Sequence, residues 1–137
     1  MIIADSGFWL ALLDRRDNFH SIARSFLGGL TEPLITTTPV ITEVCYLLQK
    51  RLNSQKSVEF LRAQQDGLFT LFVINEQDLA RSAELMQQYA NLPMDFADAS
   101  LVILTEHLGH GRIVSTDQRD FGAYRWKNHY PFDNLLR

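Results

Sequence analysis

The chain has 137 residues, 46% hydrophobic and 21% charged, which is ordinary for a soluble globular protein and long enough for one domain, residues 1–137, with a real core. Its formal net charge of −3 does not advertise nucleic-acid binding, although ten Arg against three Lys favour the residue better suited to bidentate phosphate contacts. The lone Cys45 excludes an internal disulfide or Cys-based metal cluster, and no apolar run approaches the ~20 residues that cross a bilayer.

The N-terminal "MIIADSGFWLALLDRR" carries an early Asp5 and no preceding basic residue, so it does not read as a signal peptide; a cytoplasmic protein without membrane association is expected. "MIIADS" predicts a short buried strand stopped by Asp5. "GFWLALLDRRD" reads as a helix turning polar at Asp14. "NFHSIARSFLGGL" is a second helix, with Phe19, Ile22, Phe26 and Leu27 near one face and Gly28-Gly29 as its stop. "PLITTT" is the next strand. Thr38 then caps a helix with Pro39 at its first position and Ile41, Val44, Leu48 and Leu52 as its stripe.

"SQKSVEFLRAQQDG" supplies another helix ending near Gly67, and the continuous apolar run "LFTLFVI" predicts a strand covered on both faces. Asn75 caps the amphipathic "EQDLARSAELMQQYA". A further helix opens at Asp95 with Ala97, Leu101, Leu104 and Leu108 as its buried stripe. "RIVST" is a strand, "DQRDFGAY" a turn and short helix, and "YPFDNLL" holds a last short strand. Strands alternating with helices argue an α/β sandwich around a mainly parallel sheet, which binds ligands beyond the carboxyl ends of its strands.

Five acids from four segments fall near that rim. Asp5 and Asp117 directly follow strands, Glu43 lies in the early turns of the helix after "LITTT", and Asp95 and Asp98 open the helix before "RIVST". Singly, each has an ordinary explanation: Asp5, Asp95 and Asp117 as N-caps, and Glu43 as a solvated complement to the helix dipole. Asp98 is harder to dismiss, because small Ala97, Ala99 and Ser100 around it leave room for an approaching group. Clustered carboxylates repel and raise one another's pKa unless a cation is bound, and hard oxygen donors favour Mg²⁺ or Mn²⁺. Metal-dependent phosphodiester hydrolysis follows from that chemistry.

Four ordered segments, "MIIADSGFWLALLD", "TPVITEVCYLL", "MDFADASLVILTEHLG" and "IVSTDQRDFGAYR", resemble the acidic motifs of the PIN domain family, and more narrowly its VapC-type toxins, small ribonucleases of prokaryotic toxin–antitoxin modules. The resemblance covers nearly the whole chain. It implies a three-layer α/β/α sandwich with about five parallel strands, and Mg²⁺- or Mn²⁺-dependent cleavage of RNA. It also implies a homodimer inhibited by a cognate antitoxin that reaches the acidic pocket. By motif it makes Asp5, Glu43, Asp98 and Asp117 the catalytic, metal-holding acids and Asp95 an auxiliary one. On this reading Asp5 and Asp98 ligate directly, Glu43 and Asp117 act through water or a second ion, and Ser6 and Thr116 orient waters or supporting bonds.

Arg15, Arg16, Arg119 and Arg125 flank the first and last motifs as candidate phosphate contacts, against a background reading of solvated charge. Phe8 and Trp9 read as packing, and His107 and His110 as helix C-terminal residues. A receiver domain is disfavoured by the lone acid in "ADSGF" and the missing Lys after "IVST", and a nucleotide-binding fold by the lack of a glycine-rich turn after a strand. The remaining alternatives are a module that binds RNA or protein with little cleavage, and a nuclease of RNA processing outside any toxin–antitoxin pair.

Overall fold

Ile2–Ala4 form β1, fully buried at the centre of the sheet in the computed structural model, which describes residues 1–136. Asp5 caps α1 (Ser6–Leu13), and α2 (His20–Gly28) leads to β2 (Leu34–Thr37). Then come α3 (Thr38–Arg51), α4 (Ser54–Gln65) and β3 (Thr70–Phe72). A 3₁₀ turn (Glu76–Asp78), capped by Asn75, precedes α5 (Leu79–Gln88); α6 (Phe96–Leu108) and β4 (Arg112–Val114) follow. The chain closes through α7 (Gln118–Ala123), β5 (Arg125–Trp126), β6 (Tyr130–Pro131) and β7 (Asp133–Asn134).

Five strands pair in the order β3-β2-β1-β4-β7, all parallel, with Ile3 set against Ile35 on one side and Ile113 on the other. The expected parallel α/β sandwich is therefore present. β1 and most of β4 are buried on both faces, which is why they read as unbroken apolar runs. Phe8 and Trp9 are core residues: Trp9 packs against Phe60 and Phe69 with ring centroids 5.4 and 5.2 Å away, and Phe8 packs edge-on against Phe26.

Four details differ from the sequence expectation. β3 is not covered on both faces; it is one of the sheet's two outer strands, and Leu71 is exposed and Val73, just beyond it, is 59% exposed. α3 is capped one residue earlier, by Thr37, with Pro39 inside the first turn. α6 is buried far beyond one stripe, at Ala97 and continuously from Ala99 to Thr105, because α3, α5, β2 and β5 all pack on it; Leu108 is only half-buried. β5 and β6 form an antiparallel hairpin that the sequence pattern does not announce. Gly109, at φ +79°, supplies the left-handed residue that ends α6 and turns the chain into β4. Among the described residues, no helix is long and apolar enough to cross a membrane.

Candidate active site

Asp5, Glu43, Asp95, Asp98, Asp117 and Asp120 line one cleft of about 290 Å³ at the carboxyl end of the central strands, together with Ser6, Gly7, Leu10, Pro93 and Thr116. Three of these acids cap helices. Asp5 Oδ1 accepts the Ser6 N–H at 2.6 Å, Asp95 Oδ1 accepts the Asp98 N–H at 2.9 Å, and Asp117 Oδ1 accepts the Asp120 N–H at 3.0 Å. Capping and clustering are thus compatible. The N-termini of α1, α6 and α7 meet at the cleft, and their dipoles offset part of the repulsion among the acids they bring there. Glu43 joins from the second turn of α3, on the side away from buried Val40, Val44 and Leu48.

The electrostatics follow from burial and like charge. Asp5 is 6% exposed, and desolvation pushes its carboxyl up to about 6, against hydrogen bonds from Ser115 and Ser6 that favour the ionised form. Glu43 is raised to about 7, first by burial and then by the charge of Asp95. Asp98 rises to about 8 from burial, Asp95 and Asp5. Asp120 moves in the same direction through burial and its closeness to Asp117. Tyr124, whose ring is buried, donates its hydroxyl to Asp98 Oδ2 at 3.3 Å, and its own ionisation is suppressed by burial and that carboxylate.

All five sequence-predicted acids lie in the cleft, with Ser6 and Thr116 among its lining residues. The predicted arginines do not gather in the same way. Arg16 lines a shallow neighbouring depression that shares Thr116 with the cleft, and Arg119 is adjacent in sequence to Asp120, on whose carboxyl its charge acts. Arg125 directs its guanidinium to the carbonyls of Gly122 and Tyr124, while Arg15 is exposed and lines neither depression.

Sequence reasoning missed Asp120, Ser115 and Tyr124. The spacing Asp117–Asp120 repeats that of Asp95–Asp98, and this signal was available. Ser115 carries no such pattern, yet its hydroxyl donates to Asp5 Oδ2 at 2.8 Å.

The profile of the PIN domain matches residues 2–127. The chain belongs to the PIN domain family. This PIN-domain chain is similar to ribonuclease VapC26 of Mycobacterium tuberculosis, 23% identical over 124 residues that cover 90% of the chain and 92% of the relative. Its fold is that of VapC20 of Mycobacterium tuberculosis, a sarcin–ricin-loop-cleaving toxin, with TM-score 0.81, 18% identity and coverage of 88% of this chain and 92% of the other. A toxin–antitoxin complex from Klebsiella pneumoniae aligns with TM-score 0.65 and 17% identity, over 90% and 92% of the two chains.

A divalent cation suits this PIN cleft on its donor set. Every acidic lining group offers hard carboxylate oxygens, and no Lys, Arg or His stands among the lining residues. The buried Ser6 hydroxyl stands at the cleft wall and favours the ionised form of Glu43. Among the described residues no three His, Cys, Asp or Glu side chains are already drawn together as a ligand shell.

Proposed function

We propose that the chain is a VapC-type endoribonuclease, dependent on Mg²⁺ or Mn²⁺, that hydrolyses RNA phosphodiester bonds at the acidic cleft and acts as the toxin of a toxin–antitoxin pair. The observation that carries the reading is the convergence of acids from β1, α3, α6 and the β4–α7 junction on one cleft without a lining cation. The similarity to VapC26, VapC20 and the Klebsiella complex supports the ribonuclease activity and an antitoxin partner.

Asp5 and Asp98 would hold the cation directly, and Glu43 and Asp117 would hold it through water or help bind a second ion, with Asp95 and Asp120 adding charge to the rim. When bound, such a cation would offset charge on the phosphodiester and lower the pKa of water. Glu43, with its raised pKa, or Asp117 would take a proton from the attacking water as its oxygen bonds to phosphorus, and the P–O bond to the leaving ribose oxygen would break with that oxygen taking a proton from solvent. Ser6 and Thr116 orient water at the wall, and Tyr124 steadies Asp98. Arg16 and Arg119 flank the cleft and contact neighbouring phosphates, with Arg15 and Arg125 further from it.

The homodimer that the resemblance to VapC-type toxins implies would pair through the larger apolar groove beside the cleft. That groove, about 810 Å³, presents Pro39, Tyr46, Ile74, Leu79 and Phe96 and shares Glu43 and Asp95 with the acidic cleft. Large exposed apolar surface without cations suits a protein face better than a phosphate backbone.

RNA cleavage measured with EDTA and Mn²⁺ arms, with cut sites mapped, tests the reading. Cleavage only in the Mn²⁺ arm, abolished by Asp5→Asn in a folded protein, is expected. An undiminished rate in that variant, or in EDTA, would sink it. Co-purification with the product of a short adjacent reading frame tests the antitoxin.

A further inference from the structure

We infer that Asn134, in the last strand of the sheet, is a positioning residue that holds the cleft's Asp5 and Asp117 through the single hydroxyl of Ser115. The inference rests on the nuclease reading above and deepens it.

β7 pairs with β4 through its backbone, Asp133 N–H to the Gly111 carbonyl and Leu135 N–H to the Ile113 carbonyl, each at 2.8 Å. Beyond Val114 the chain leaves the ladder at Ser115, which is fully buried and must satisfy its backbone groups elsewhere. The Asn134 side chain does this at both ends. Its Oδ1 accepts the Ser115 N–H at 3.1 Å and its Nδ2 donates to the Ser115 carbonyl at 2.9 Å. The amide thus imitates one more residue of strand. It is itself anchored where Oδ1 accepts the Leu136 N–H at 3.1 Å.

What this clamp holds is the hydroxyl. Ser115 Oγ accepts the Asp117 N–H at 2.9 Å and lies 2.8 Å from Asp5 Oδ2. A backbone N–H can only donate, so the hydroxyl proton is left for Asp5; the Asp117 carbonyl, at 3.5 Å, is a poor competitor. With the Ser6 N–H on Oδ1, both oxygens of Asp5 are then held and its carboxylate plane is set. Acids that follow two different strands take their positions from one serine, and the serine takes its position from Asn134. Asn134 is not among the residues lining the cleft, so its effect passes through Ser115.

The test uses the full chain and Mn²⁺ alone as probe, by isothermal titration calorimetry, beside RNA-cleavage kinetics and thermal melts. Asn134→Ala is expected to weaken Mn²⁺ binding by about 10–100-fold and to lower kcat by a similar factor, as loss of a ligand's supporting bonds does, with KM little changed. Ser115→Ala is expected to give the same loss, and the double variant no further loss. Asn134→Asp keeps the acceptor for both N–H groups and recovers part of the affinity; it also serves if the alanine variant does not fold. A lower melting temperature with unchanged Mn²⁺ affinity and kcat would mean a purely structural amide and overturns the inference alone, as does full additivity of the two alanines. A wild-type chain that neither binds Mn²⁺ nor cleaves RNA overturns the nuclease reading and this inference together.

Discussion

Gly7 and Thr116 approach so closely that a Cβ on Gly7 would meet Thr116 Oγ1 at 2.1 Å. The contact brings the first turn of α1 against the segment between Ser115 and Asp117, and both residues line the cleft. Gly7→Ala therefore forces the Thr116 hydroxyl out of its place at the cleft wall, while the Thr116 backbone, at 3.8 Å, is in ordinary contact. Overpacking of this kind costs about 1–3 kcal/mol, so urea titration should show a destabilised variant with reduced RNA cleavage. Removing the clash with Thr116→Ala in the same chain should restore most of the stability. Two purely additive losses would show that the contact is not the cause.

Asp5→Asn and Asp98→Asn separate activity from stability. Each substitution keeps the shape while removing a carboxylate that burial and like charges hold in an unfavourable state. Both variants are expected to lose divalent-dependent cleavage, yet to melt at the same or a higher temperature than wild type at pH 8 in EDTA. A clear drop in melting temperature would mean that these carboxylates stabilise the fold, contrary to the burial and repulsion described here.

How much of this was legible depends on which physical pattern each feature leaves in the chain. Asp5 and Asp117 stand out because a buried parallel strand is an unbroken apolar run, so an acid at its end marks the binding rim. Glu43 and Asp98 follow by placing them on the flanking helices. The edge position of β3 was hidden, since Leu71 and Val73 read as core and are instead exposed apolar surface. The β5–β6 hairpin turns at Lys127 and Asn128, both at positive φ, without the Gly that usually marks such a turn. The Ser115–Asp5 bond spans 110 residues and joins two strand ends, and no local spacing encodes it.

The raised acids set a pH dependence. Asp5, Glu43 and Asp98 have folded-state values of about 6, 7 and 8 against ordinary values of 3.8, 4.5 and 3.8, so the folded chain keeps protons that the unfolded chain has lost. Stability is then greatest at the acidic end of this window and falls as pH rises from about 4 to about 8. Melting curves in EDTA should show that fall, and Mn²⁺ should flatten it by engaging the ionised carboxylates. Melting temperatures that rise steadily over the same window in EDTA, with every other group unchanged, would contradict the assigned shifts.

Leu79, 52% exposed, and Tyr46, 57% exposed, stand in the apolar groove assigned to a second copy. Light scattering after size exclusion is expected to give a dimer for the wild-type chain at micromolar concentration. Leu79→Arg places a charge that must be desolvated on pairing, and should shift the chain to monomer with its melting behaviour as a monomer intact. Since Leu79 is not among the residues lining the acidic cleft, Mn²⁺ binding per chain should survive the substitution. A wild-type monomer at that concentration, or an unaltered dimer in the variant, would remove this face as the interface.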